Sequence, residues 1–476
     1  MSRAEGARSM NRSAGSPHRA STRPRPRPAS RGRRGSAPIV SLAKQRAARD
    51  RLEAALARIG DAEGEGARAC LTVYAQSARV EADAADARAN SEISLGPLDG
   101  TIVSIKDLFD VEGEPTRAGS TFLAHAAPAA QDAPVVRRLR AGGAVIVAKT
   151  NMTEFAFSGI GLNPHYGTPG NPADRSRIPG GSSCGAAIAV ADAMCEIAIG
   201  TDTGGSTRIP AALCGIVGFK PSQWRLPTQG AFPLSFTLDS IGPMARNVAD
   251  CALADAVMAA QEPRPLEPAR LAGLRFGVAQ GLPMKDLDRD VAREFAAATA
   301  RLQSADVRLT EEAFPQFDAM LAINAKGGFA PAEAFAIHRD LIASHGPEYD
   351  PNVRARIERG RGLSAADYVL MSRERARLIR EIDARLQELD ALVMPTTAIV
   401  APKISEVSTP ETFGQKNMML LRNTALANFF DLCAILAAAA AARRPSGGTD
   451  AGFPQRPGPS PVRHRGGSRA AFGVLI

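Results

Sequence analysis

Pro179-Gly-Gly-Ser-Ser-Cys-Gly-Ala-Ala187, with Gly200-Thr-Asp-Thr-Gly-Gly-Ser-Thr-Arg-Ile-Pro210 a short way on, decides how this chain of 476 residues is read. Two Gly-Gly-Ser elements, at 180–182 and 204–206, each run into a segment of helical character. Between them, Ser183–Ala193 reads as a helix of small residues and Glu196–Gly200 as a buried strand. The same alternation continues on both sides. Thr101–Ile105 reads as a short apolar strand, Pro134–Ala141 as a helix and Ala144–Ala148 as a buried strand. Further strands are predicted at Leu274–Ala279 and Ala391–Met394, with helices over 40–60, 288–304 and 366–388. Short β-branched strands between helices predict an α/β fold with a mixed or parallel sheet.

The charge points elsewhere at first. Lys and Arg number 58 against 49 Asp and Glu, a net of +9, which invites a polyanion as partner. Its placement argues against that. Residues 1–37 hold ten Arg and one acid, and residues 437–476 hold six Arg and one acid. The body between them has 42 basic and 47 acidic residues and is mildly acidic. The segment 1–37, with Arg23-Pro-Arg-Pro-Arg-Pro28 at its centre, has little to bury and is expected to be disordered; it lacks the apolar core of a secretory signal. Nucleic acid is therefore not an expected partner. The longest apolar runs, Ala186–Ala191 and Leu432–Ala442, fall short of the roughly 18 residues of a membrane span. Six scattered Cys without a CxxC pair suit reduced thiols in a cytoplasmic protein, and six scattered His show no metal-ligand spacing.

Glycines let consecutive N–H groups converge on one point, and a following helix adds its positive end. An oxyanion site is one product of such a loop; tight turns in a crowded core are the plainer one. Three chemical readings compete. Gly181-Ser-Ser-Cys-Gly185 fits the G-x-S-x-G nucleophile elbow with Ser183 as nucleophile, but the later His338, His345 and His464 lie in no identifiable strand-end loop. A phosphate loop would need Gly-Lys-Ser/Thr, which neither element has. A serine served by a lysine base needs a desolvated lysine, and Lys106, closing an apolar strand, is the candidate; its plainer reading is a surface lysine paired with Asp107. Ser41-Leu-Ala-Lys44 also fits S-x-x-K but sits in a charged helix without companion motifs.

Taken together, Val103-Ser-Ile-Lys-Asp-Leu-Phe-Asp-Val-Glu-Gly113, Lys149-Thr-Asn-Met-Thr-Glu-Phe155 and the two Gly-Gly-Ser elements through Gly215 resemble the amidase signature family, in order and spacing, from about residue 45 to about 436. The resemblance implies one large domain over 38–436, with a mixed central sheet covered by helices on both sides. It implies an amide hydrolase with a Ser–cis-Ser–Lys triad working through an acyl-enzyme. Matched residue by residue, Ser206 would be the nucleophile, Ser182 the bridging serine after a cis peptide, and Lys106 the base. The backbone of Thr203, Gly204, Gly205 and Ser206 would form the oxyanion hole, with Ser183, Asp202 and Arg208 in support. No metal or other cofactor is implied. The partners expected are a small amide and, in assembly, a second copy of the chain.

Two departures stand out. Cys184 replaces the family's usual Gly or Ser and reads as a small buried filler. After Leu421-Arg-Asn-Thr-Ala-Leu-Ala-Asn-Phe-Phe-Asp-Leu-Cys-Ala-Ile435 the family continues into a turn, a buried strand and a closing helix. Here an Ala/Arg/Pro/Gly-rich segment follows, with the character of a shifted reading frame over 437–476. That predicts a missing strand and a poorly folded or inactive relative. A further alternative is the glutaminase component of an aminoacyl-tRNA amidotransferase, its A subunit. Arg422 is present for it, but the Asp which that subfamily places ahead of Asn428 is not.

Overall fold

The computed structural model describes residues 47–264, 266–436 and 472–475. The expected tail over 1–37, Ser41–Lys44, His464 and the segment 437–471 lie outside the described residues.

Every position of β2 (Ile102–Lys106) is buried, because strands flank it and helices cover both its faces. Its alternate residues divide between two cores, as the two-residue period of a strand requires. Val103 and Ile105 pack with Val135, Val136 and Leu139 of the helix Pro134–Ala141 and with Cys251 and Ala254 of the helix Val248–Met258. Ile102 packs on the other side with Leu52, Ala78, Ala82 and the helix Cys184–Ala191. That helix is buried almost all round, so its Gly and Ala residues are what allow it to lie flat on the sheet.

The described strands form one sheet. In chain order they are β1 (Cys70–Val73), β2, β3 (Val145–Thr150), β4 (Ile197–Asp202), β5 (Val217–Lys220) and β6 (Ser240–Ala245). Then come β7 (Arg275–Gln280), β8 (Arg308–Ala313), β9 (Ala391–Met394), β10 (Cys433–Leu436) and β11 (Phe472–Leu475). Their order across the sheet is β1-β3-β2-β4-β6-β5-β10-β11-β9-β7-β8. β3, β2 and β4 run parallel, as do β10, β11, β9, β7 and β8, while β1, β6 and β5 make antiparallel pairs. The sheet is mixed, with helices on both faces. Among the described residues no helix is long and apolar enough to cross a membrane.

One expectation changes here. A missing strand was expected after β10. Instead Phe472–Leu475 runs parallel to both β10 and β9, with Ile435 opposite Val474 and Val393 opposite the same residue. β11 is the only described strand joining β10 to β9. Removing residues 472–476 would expose two strand edges in the middle of the sheet, templates for pairing with other chains. The truncated protein is expected to run mainly as aggregate on size-exclusion chromatography. A monodisperse elution profile unchanged from the full chain would show that β11 does not hold the sheet together.

Candidate active site

The parallel strands β2 and β4 end side by side, at Lys106 and Asp202. Loops leaving the carboxyl ends of neighbouring parallel strands form a crevice, the usual place for ligands in such sheets. Lys106 is fully buried there. Its Nζ donates to Ser182 Oγ at 2.8 Å and to Thr201 Oγ1 at 2.9 Å. Burial disfavours the ammonium form and lowers its pKa to about 7, despite the opposing pull of Cys184, Asp239 and Asp202. Asp107 is not its partner. That carboxylate faces Lys149 at 3.9 Å and accepts from the Gly119 N–H at 3.1 Å.

Ser182 follows a cis peptide after Gly181. Ser183 is buried and its Oγ points to the Thr201 carbonyl at 3.4 Å. Of the histidines considered for an elbow, His338 is bonded to the Tyr349 hydroxyl at 3.0 Å within an aromatic group with Phe155 and Phe232, and His345 to Glu348. No hydrogen bond joins either to Ser183 among the described residues. Cys184 opens the helix Cys184–Ala191, fully buried, and burial pushes its thiol up to about 12. It is a filler in the structure as in the sequence.

The second Gly-Gly-Ser element leaves β4 and enters the helix Arg208–Cys214. It is wound around one carboxylate. Asp202 accepts from the Gly205 N–H at 2.9 Å, the Thr207 N–H at 3.1 Å and the Thr207 hydroxyl at 2.8 Å. Arg208 reaches both of its oxygens, at 2.9 and 3.1 Å, with both side chains fully buried. Burial opposes the Asp202 charge, but Arg208, Lys220 and Asn428 outweigh it and hold the carboxyl well below its ordinary range. Gly205 has φ +135°, and a Cβ there would lie 2.2 Å from Thr424 Oγ1, so only glycine fits.

This contact corrects one sequence assignment. The Gly205 N–H is bonded to Asp202, which takes it out of the oxyanion donor set. The N–H groups of Gly204 and Ser206 have no acceptor among the described residues. Thr203 is tied down by its side chain, whose hydroxyl donates to Asp239 Oδ1 at 2.5 Å. Asp239 also accepts from the N–H groups of Leu234 and Ser235, while burial raises its pKa to about 6.

Ser206, Gly204 and Thr203 line a cavity of about 690 Å³. Much of its wall is apolar, from Phe157, Leu234, Leu238, Met320, Leu421 and Phe429. Lys326, Arg356 and Arg359 also line it, and no Asp or Glu does among the described residues. Arg356 is half-buried. Its Nε donates to the Phe157 carbonyl at 2.9 Å and its guanidinium lies 4.7 Å over the Phe157 ring. Burial, then the nearby Arg359 charge, lower its pKa to about 10. Thr201 and these cations escape sequence reading. Thr201 looks like an ordinary strand residue, and the arginines sit in an Arg/Glu-rich helix that reads as a solvated face.

Comparison with known proteins agrees with the sheet. The model of the amidase family matches residues 50–454, beyond residue 436 where the sequence motifs end. The chain belongs to the amidase signature family and is an amide C–N hydrolase. It is 36% identical over 373 residues to the 2-amino-5-chloromuconic acid deaminase of Comamonas testosteroni, covering 75% of this chain and 78% of that protein. It is 42% identical over 297 residues to the A subunit of the glutamyl-tRNA(Gln) amidotransferase of Anaeromyxobacter dehalogenans (strain 2CP-C), covering 60% of this chain and 59% of that one. A solved structure, described as a vestigial protein complex revealing the evolutionary origins of an s-triazine catabolic enzyme, superposes with a TM-score of 0.74 at 32% identity, over 83% of this chain and 88% of that one.

The Asp202–Arg208 pair generates a stability prediction. Removing one member of a buried pair leaves an uncompensated charge and costs about 3–5 kcal/mol. Asp202→Asn is expected to lower the unfolding free energy by that order in urea titration. A loss under about 1 kcal/mol would mean that the loop is held by other contacts.

Proposed function

We propose that the chain hydrolyses amides through Ser206, Ser182 and Lys106 by way of an acyl-enzyme. The observation that carries this is the fully buried Lys106 amine, with a pKa near 7, bonded to Ser182 Oγ beside the loop that presents Ser206 to the cavity. A lysine serves as base only when neutral, and burial makes it so near neutral pH.

In the proposed cycle the neutral Lys106 nitrogen accepts the Ser182 hydroxyl proton as Ser182 takes the proton of Ser206. Ser206 Oγ forms a bond to the amide carbonyl carbon. The negative charge that develops on oxygen meets the N–H groups of Gly204 and Ser206. The proton returns through Ser182 to the leaving nitrogen, the C–N bond breaks, and ammonia or an amine departs. Water then attacks the ester, activated by the same pair, and the acid is released. The chemistry follows the Ser-Lys variant of triad logic. Thr201 orients the amine through its second hydrogen bond.

Arg356 adds a reading of the acyl group. A guanidinium in a largely apolar cavity without a neighbouring acid suits a carboxylate on the substrate. The glutaminase of an amidotransferase must also receive the ammonium of glutamine. That group would meet three cations and, among the described residues, no lining carboxylate. A stand-alone amidase is the reading these charges favour. The relative named for 2-amino-5-chloromuconic acid likewise acts on an acid.

Ser206→Ala is expected to abolish turnover and labelling by a fluorophosphonate probe; undiminished labelling of that variant would sink the assignment. Lys106→Ala should lower kcat by about a thousandfold or more. For the unsubstituted protein, kcat/KM should rise about tenfold per pH unit below about 7 and level off above it, since the protonated amine is inactive as a base. A flat profile between about pH 5 and 8 would remove Lys106 as the base. Glutaramate, which lacks the ammonium of glutamine, should have the higher kcat/KM of the two; the reverse order would favour the glutaminase.

A further inference from the structure

Two like charges share one wall of the cavity. Arg356 lies in the last turn of the helix Pro351–Glu358, and Arg359 opens the short 3-10 turn Arg359–Gly362. Three residues apart, they are neighbours on one helical face. Arg356 uses only its Nε within the protein, on the Phe157 carbonyl, and the Phe157 ring fixes the plane of its fork. Its two terminal nitrogens have no acceptor among the described residues. Arg359 is exposed and has no ion-pair partner among the described residues. The acid between them, Glu358, is engaged elsewhere, with Arg354 at 3.3 Å and Arg361 at 3.9 Å. The third cation of the cavity, Lys326, is neutralised by Asp367 at 2.6 Å. The amino-terminal end of the helix Phe329–His345 faces the same space through Gly328, Phe329 and Ala330, adding its own positive potential.

Two guanidinium groups held together against their mutual repulsion, over a cavity with no lining acid among the described residues, are complementary to two negative charges. A single carboxylate would leave one of them unanswered. We propose that the substrate is an amide whose acyl part carries two carboxylates, one on the half-buried Arg356 and the second on Arg359 at the open side. Arg359 is then a specificity-determining residue. This rests on the reading that Ser206 faces the bound amide, and it deepens that reading by naming the acyl class.

The test measures binding on Ser206→Ala by calorimetry, so that affinity is read without turnover. The probes are pentanamide, glutaramate and 3-carboxyglutaramate, with no, one and two carboxylates on the same chain length. The doubly charged amide is expected to bind about tenfold more tightly than glutaramate. Adding Arg359→Gln should remove that advantage and leave glutaramate within about twofold, and Arg359→Lys should restore most of it. Adding Arg356→Gln should weaken both anionic amides. Equal affinity for the two anionic amides, or an advantage that survives Arg359→Gln, overturns the proposal. The two readings fail separately. Preferential binding of the doubly charged amide, with no hydrolysis of any probe by the unsubstituted enzyme, would defeat the triad alone. Hydrolysis of pentanamide with no preference for charge would defeat the dicarboxylate alone.

Discussion

The contact between Asp202 and Arg208 is what the loop carrying Ser206 depends on. Both groups are removed from water, and such a pair persists only when the remaining lone pairs and protons are satisfied. The fold meets that demand with the loop itself and with the helix Pro410–Phe429. Arg208 donates to the Thr424 carbonyl and to Asn428 Oδ1, while Asn428 Nδ2 donates to Asp202 Oδ1 and to its carbonyl. Strand β4, the loop and a helix some 220 residues away are thus fastened at one point. Ser206 is positioned by its neighbours: no side-chain hydrogen bond of its own is seen among the described residues. The close approach of Thr424 to Gly205 is the steric side of the same arrangement.

Where short-range pattern decides an element, the sequence was read closely. The helix Pro134–Ala141 and the strand Ala391–Met394 have the bounds predicted for them, because a proline start and a four-residue apolar run leave little latitude. The second Gly-Gly-Ser element falls at the end of β4 and the first just before the helix Cys184–Ala191, because glycine permits the turns required there. The partner of Lys106 was not legible. Its neighbour in sequence, Asp107, is the obvious counter-ion, yet consecutive residues of a strand point to opposite faces, and Asp107 meets Lys149 instead. The backbone of the Gly-Gly turn shows the same limit: which N–H faces Asp202 depends on backbone angles that composition does not encode. Arg356 and Arg359 are not legible either, because they lie far along the chain from Ser206 in a segment whose charge pattern is that of any exposed helix.

The site has two electrostatic regimes, set by residues far apart in the chain. Around Lys106 the absence of water suppresses charge, which leaves an amine able to accept a proton. Around Arg356 and Arg359 the surroundings are different: burial lowers the Arg356 pKa only to about 10, so its guanidinium is charged near neutral pH. The apolar wall of Phe157, Leu421 and Phe429 lines the same cavity as these two arginines.

β11 has a consequence for how the sheet is assembled. The strands from β1 to β6 and β10 lie on one side of it, and β7, β8 and β9 on the other. The strand that unites these two groups is the last of the eleven described strands in chain order, and its pairing with β9 and β10 closes very different lengths of polypeptide. Contacts of such wide sequence separation carry a loop-closure entropy that must be met before they stabilise anything. During synthesis the two groups of strands emerge, and begin to bury their cores, before the element that joins them exists. Folding of this chain should therefore be governed by a late docking step, with the edges of β9 and β10 open in the interval.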